Sequence, residues 1–146
     1  MATPPPVTDT LARFVTETEL ATISPTTCAY AKLHILDALG VALAGVDEPA
    51  AKIALDYCAK LGASEEASIW GTRQRAAVST AAFANGLFAH ALDFDDWDAI
   101  IHLGHPTSMI IGAALSLGQN IGASGADLLR GYVLGLEAIT KLAANC

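Results

Sequence analysis

Residues 76–92 read AAVSTAAFANGLFAHAL. Alanine is the strongest helix former, and a helix built so largely of small side chains lets other helices approach closely. The run gives way at once to an acidic loop. Toward the C-terminus, Pro106 opens a further helix through Met109, Ile110, Ala113, Leu115 and Leu117, stopping near Gly122. Ser124 and Asp127 then have capping-box spacing, with Asp in place of Glu or Gln, ahead of a last helix, ADLLRGYVLGLEAITKLAANC, at 126–146.

Toward the N-terminus the pattern repeats. Ala67-Ser68-Ile69-Trp70-Gly71 is the single strand candidate and is too short to define a sheet. A helix is expected from about Glu48 to Leu61, with Asp47 as cap, Pro49 in the first turn and Gly62 as its stop. Ser24 followed by Pro25 starts another, and its run from Thr26 to Ala44 is apolar on nearly all sides, which predicts a buried helix. Leu11, Phe14, Val15 and Leu20 mark a short first helix behind Thr8 and Asp9. Pro4-Pro5-Pro6 cannot be helical, so residues 1–7 are expected to form a disordered tail. The fold class is therefore all-α, a multi-helix bundle of about six helices in one domain, 1–146.

Of the 146 residues, 53% are hydrophobic and 16% charged, against about a quarter charged in ordinary domains. That excludes disorder and predicts that some apolar helix faces are covered by a second copy in a homo-oligomer or by a companion chain. The last helix runs to the final residue with no glycine stop, so the chain reads as cut or split. A net charge of −7 without any Lys/Arg cluster argues against nucleic acid. The longest stretch free of charged residues, 99–126, is interrupted by His102, His105, Pro106, Gln119 and Asn120, so no membrane span is expected. The start, MATPPPVTDT, lacks the features of a secretory signal, which predicts a cytoplasmic protein. Cys28, Cys58 and Cys146 are scattered and read as small buried hydrophobes.

Chemistry concentrates in HALDFDDWDAIIHLGHPTS, residues 90–108, where Asp93, Asp95, Asp96 and Asp98 crowd with His90, His102 and His105. Aspartates at a helix C-terminus meet the unfavourable end of the macrodipole, so their presence asks for a reason. Three stay open on the residues alone. They are metal ligation by Asp and His, general acid–base work by a histidine beside carboxylates, and a structural loop in which aspartates cap and His90 sits in the core. Elsewhere the structural reading is preferred. Glu137 is expected to pair with Lys141 or Arg130, Trp70 and His34 to lie in the core, and 71–75 to form a solvated basic turn.

Asn85-Gly86, then His90-Ala91-Leu92-Asp93-Phe94-Asp95-Asp96, then His105-Pro106-Thr107 together resemble the N-terminal signature of the MmgE/PrpD family. Asp37 to Gly45 is similar to that family's D-x-x-G-x-x-x-x-G helix, and Gly135-Leu136-Glu137 resembles its G-Y-E turn. The likeness runs from about residue 8 to the end. It implies part of a helical domain of a cofactor-independent lyase or isomerase, with no metal. Such an enzyme abstracts a proton next to a carboxylate of a small di- or tricarboxylic acid.

Carried over by motif, Asp93 and His105 are the catalytic candidates. Asp96, Thr107, Ser108 and His102 are the substrate-binding ones, with the N–H groups of Thr107 and Ser108 expected to receive a substrate carboxylate. Trp97 departs from the small or hydroxylated residue that relatives carry after D-F-D-D, and His102 is additional. The resemblance also implies that a lysine and a further histidine are supplied from outside this chain, by a second chain or a missing C-terminal part. The alternative is a non-catalytic truncated homologue acting as an interaction or regulatory subunit.

Overall fold

The computed structural model describes residues 6–98 and 104–144. Among these, prolines and short polar caps set most helix starts. The elements are α1 (Val7–Glu17), a 3-10 turn (Leu20–Thr22), α2 (Pro25–Gly45), α3 (Pro49–Leu61), β1 (Ala67–Ser68), β2 (Arg75–Ala76), α4 (Val78–His90), α5 (Pro106–Ile121) and α6 (Gly125–Ala143). The Ser24 hydroxyl accepts the Thr27 N–H at 3.0 Å ahead of Pro25. Both bonds of the Ser124–Asp127 capping box are present, and Ser124's hydroxyl and N–H hold the Asp127 carboxyl below its ordinary value. Gly62 and Gly122 end α3 and α5 with φ of 95° and 65°, which glycine adopts without strain. At α1 the expected caps are displaced: Pro6 is the N-cap, Thr8 and Asp9 fall in the first turn, and Val7 is already helical.

The alanine-rich α4 lies at the centre, packed on α5, α2 and α3. Its contact with α5 is backbone against backbone. A Cβ added at Gly112 would stand 2.8 Å from the Ala82 carbonyl oxygen and 2.9 Å from the Gly86 nitrogen. Gly45 of α2 meets the Phe88 carbonyl in the same way. The main core gathers Ala81, Ala84, Phe88 and Ala89 with Ala42, Ala51, Ala54 and Cys58, closed by Ala67, Ile69 and Ala76 of the hairpin. Burial pushes the Cys58 thiol up. A second cluster of Ala31, Leu129 and Tyr132 joins α2 to α6.

The strand candidate is half of a two-residue antiparallel pairing, Ala67 with Ala76 and Ser68 with Arg75. Asn85, fully buried, fixes this hairpin to the helices. Its Oδ1 accepts the Trp70 N–H at 2.9 Å, and its Nδ2 donates to the Ser68 carbonyl at 3.0 Å and to Ser116 Oγ at 3.3 Å.

Two expectations, for α2 and His34, are corrected, and the Glu137 pairing is found. α2 is not buried all round: Ala31, Ala38, Ala42 and Gly45 are buried, whereas Tyr30, Leu33, Leu36 and Leu43 are exposed, because the neighbouring helices cover one side of it. By length and composition α2, unlike 99–126, meets the minimum for a membrane span, and here it packs on α4, α5 and α6. His34 is exposed rather than in the core, and Trp70 is half-buried against it. Glu137 pairs with Lys141 at 3.2 Å, while Arg130 instead caps the end of α1 by donating to the carbonyls of Thr18, Val15 and Thr16.

Two helical glycines separate close packing from backbone freedom. Gly112→Ala forces α5 off α4 and is expected to cost about 1–3 kcal/mol. Gly131→Ala, whose Cβ would meet nothing within 4 Å in mid-α6, is expected to stabilise by about 0.4–1 kcal/mol. Urea unfolding of both variants measures the contrast, and equal midpoints would refute the close α4–α5 contact.

Candidate active site

The end of α4 and the start of α5 are brought side by side by their packing, and the loop between them folds over the junction. His90 is the last residue of α4. The Asp93 N–H donates to the His90 carbonyl at 3.0 Å, and Asp93 turns the chain with φ 57°, the one positive φ outside glycine among the described residues. Asp is one of the few side chains that tolerate this region. Farther on, the Asp98 N–H donates to the Gly104 carbonyl at 3.0 Å and closes the loop.

Asp96 caps α5 from outside the helix. It accepts the Thr107 N–H at 3.1 Å and the Thr107 hydroxyl at 2.6 Å. Because the carboxylate can only accept, the Thr107 hydroxyl proton goes to Asp96, and the Tyr132 hydroxyl, 2.7 Å away, donates to Thr107 Oγ1. Tyr132 is fully buried. Burial is the main cause that raises its phenol above the ordinary value, opposed by the Thr107 hydrogen bond and reinforced by the Asp96 charge.

Beside this cap lies a histidine–aspartate cluster. His90 Nδ1 stands 3.0 and 3.2 Å from the two oxygens of Asp95, whose side chain is wholly buried. His105 Nδ1 is 3.2 Å from Asp95 Oδ1, and its Nε2 is 3.2 Å from Asp93 Oδ1. The two imidazole centroids are 4.5 Å apart, and Trp97 presents an edge to His105 at 5.2 Å. Both histidines face an open groove of about 450 Å³, walled by Phe83, Leu87 and Met109 and floored by Ala82, Gly86 and Ser108. The arrangement suits proton transfer: two imidazoles oriented by carboxylates, beside an apolar surface.

Asp93 and His105, the sequence candidates for catalysis, are thus in contact. Asp96 and Thr107 are also together, but with each other. The Thr107 N–H that was expected to receive a substrate carboxylate is taken by Asp96, because a capping carboxylate satisfies the same helix end. Ser108 Oγ donates to the His105 carbonyl at 3.0 Å, and the residue lines the groove. His102 lies outside the described residues. His90, for which a core position was one of three open readings, is half-exposed on the groove. Tyr132 was not singled out from sequence, and Asp95 was named in the acidic cluster without a role in catalysis or binding. The one available signal for His90 was its place at the very end of the alanine-rich run, where the helix turns it toward D-F-D-D.

The chain matches the MmgE/PrpD N-terminal domain over residues 9–146 and belongs to the MmgE/PrpD family. It is 32% identical over 114 residues to the cis-aconitate decarboxylase of Homo sapiens, covering 76% of this chain and 24% of that protein. It is 29% identical over 117 residues to the cis-aconitate decarboxylase of Mus musculus, covering 76% and 23%. The chain therefore spans about a quarter of the length of these curated relatives.

The buried Asp96–Thr107–Tyr132 chain has separable terms. Thr107→Val strands the Tyr132 hydroxyl and is expected to cost about 1–3 kcal/mol, while Tyr132→Phe keeps the cap and costs about 1 kcal/mol. Tyr132's raised pKa also contributes stability that is full below the unfolded value near 10.0 and is lost as pH rises through the folded one. Tyr132→Phe should therefore flatten the alkaline fall of the melting temperature above pH 10. An unchanged alkaline limb would contradict this.

Proposed function

We propose that this chain contributes the histidine–aspartate side of a lyase or isomerase active site for a small di- or tricarboxylic acid. The completed protein would work in the cytoplasm. The observation that carries the reading is His105, held between Asp93 and Asp95 and opening with His90 onto one groove. In this role Asp93 orients the ring of His105, the imidazole takes or returns the proton next to the substrate carboxylate, and Phe83 and Met109 pack on the carbon skeleton. As acid–base chemistry it calls for no cofactor. The two relatives are named for the decarboxylation of cis-aconitate, a tricarboxylate, which places that acid in the panel of candidate substrates.

The polarity of the groove supports completion by another polypeptide. None of its lining residues is Lys or Arg, and a chain of net charge −7 repels a polyanionic substrate. Cationic groups must come from a companion chain, a further part of the same polypeptide or a second copy. A non-catalytic subunit is the second reading, favoured by the exposed apolar residues of α2 and α3, among them Leu36, Leu43 and Ile53, which suit docking on a full-length homologue.

Purification of the native complex from its host, followed by assays on cis-aconitate, methylcitrate and related acids, separates the two. His105→Ala and Asp93→Asn are expected to lower kcat/KM by about 10²–10⁴, the usual contribution of a positioned acid–base group. Activity that ignores both substitutions would make the chain a scaffold.

A further inference from the structure

His90, Asp93, Asp95 and His105 each bring a ligand atom to within 4.8 Å of the others. Hydrogen bonding accounts for only part of this convergence. The His90 Nδ1–H donates to Asp95, but His105 Nδ1, though 3.2 Å from the same Asp95 oxygen, is a buried nitrogen without a hydrogen-bond partner among the described residues. With the Asp93 carboxylate facing Nε2, the proton of a neutral His105 belongs on Nε2. Nδ1 then lies beside an anionic oxygen without a hydrogen bond, a contact that positive charge makes favourable, whether a second proton on the ring or a metal ion.

We propose that His90 Nδ1, Asp95 Oδ1 and His105 Nδ1 form a two-histidine, one-carboxylate seat for a divalent cation of the zinc class. Donors sharing a tetrahedral zinc ion with bonds of about 2.0–2.1 Å lie roughly 3.3–3.4 Å apart. The two nitrogens stand 3.0 and 3.2 Å from Asp95 Oδ1, so small rotations of the rings suffice. Imidazole with one carboxylate selects zinc, cobalt or nickel over magnesium and calcium, which take oxygen donors. Asp93 completes the arrangement as the carboxylate that receives the outer N–H of a ligating histidine. Both histidines line the groove. On binding, His90 changes tautomer: Nδ1 gives up the proton it holds toward Asp95 and Nε2 takes one up from solvent, so the ring ligates as a neutral imidazole. An ion seated there occupies both imidazoles, so where the proton-transfer reading holds, zinc inhibits; the seat itself does not depend on that reading.

Titration calorimetry of the chelator-treated full chain with Zn²⁺, and visible absorption with Co²⁺, test this directly. One equivalent of zinc is expected to bind, Co²⁺ to show the d–d bands of a nitrogen-ligated site, and Mg²⁺ to give no heat. His90→Gln, at a half-exposed position that leaves the fold intact, and Asp95→Asn should weaken zinc by about 10-fold or more, and Asp93→Asn by about 10–100-fold. Circular dichroism confirms that each variant is folded. Absence of stoichiometric binding overturns the proposal, as does zinc affinity that is unchanged in both His90→Gln and Asp95→Asn.

Discussion

Gly112 lets the backbone of α5 lie against the backbone of α4 at Ala82 and Gly86, and the placement of every site residue follows from that approach. With α4 and α5 this close, the last residue of one, His90, and the cap of the other, His105, are set with rings 4.5 Å apart. Asp95 is pressed into the gap between the two imidazoles, Asp93 adopts a left-handed turn, and Asp96 reaches across to cap α5. A bulkier residue at Gly112 would act on the site through this geometry, without touching the histidines.

The same economy of side-chain size explains what lies outside the core. Alanine and glycine bring helices together but bury little apolar area, so the large side chains are left on the perimeter. Tyr30, Leu33, Leu36 and Leu43 of α2, with Ile53, Tyr57 and Leu61 of α3, form that perimeter. A chain matching about a quarter of its relatives' length carries surface that those relatives have three more quarters of polypeptide available to cover. The exposed apolar residues and a groove lined by neither Lys nor Arg among the described residues both fit the completion proposed above.

Helix starts were the most legible part of the sequence, because Ser24-Pro25, Pro49, Pro106 and the Ser124–Asp127 pair act through local chemistry that needs no tertiary partner. The acidic segment 90–108 was legible too, since aspartates at the wrong end of a helix dipole stand out. Burial of α2 was misread because periodicity reports which side chains are apolar and not whether anything is present to cover them. The partnership of Asp96 with Thr107 and Tyr132, 25 residues beyond Thr107, depends on how α6 crosses α5, which no local pattern encodes. His90 stays open between a core and a functional position for a similar reason: an apolar helix end does not reveal that a groove opens beside it.

The central claim is that the buried carboxylate of Asp95 orients the imidazole of His90 at the α4–α5 junction. Long-range proton–nitrogen correlation spectra of the ¹⁵N-labelled full chain report which ring nitrogen of His90 carries the proton. The account predicts an Nδ1–H tautomer for His90 that is lost in Asp95→Asn. An Nε2–H tautomer for His90, unaltered by that substitution, would contradict it.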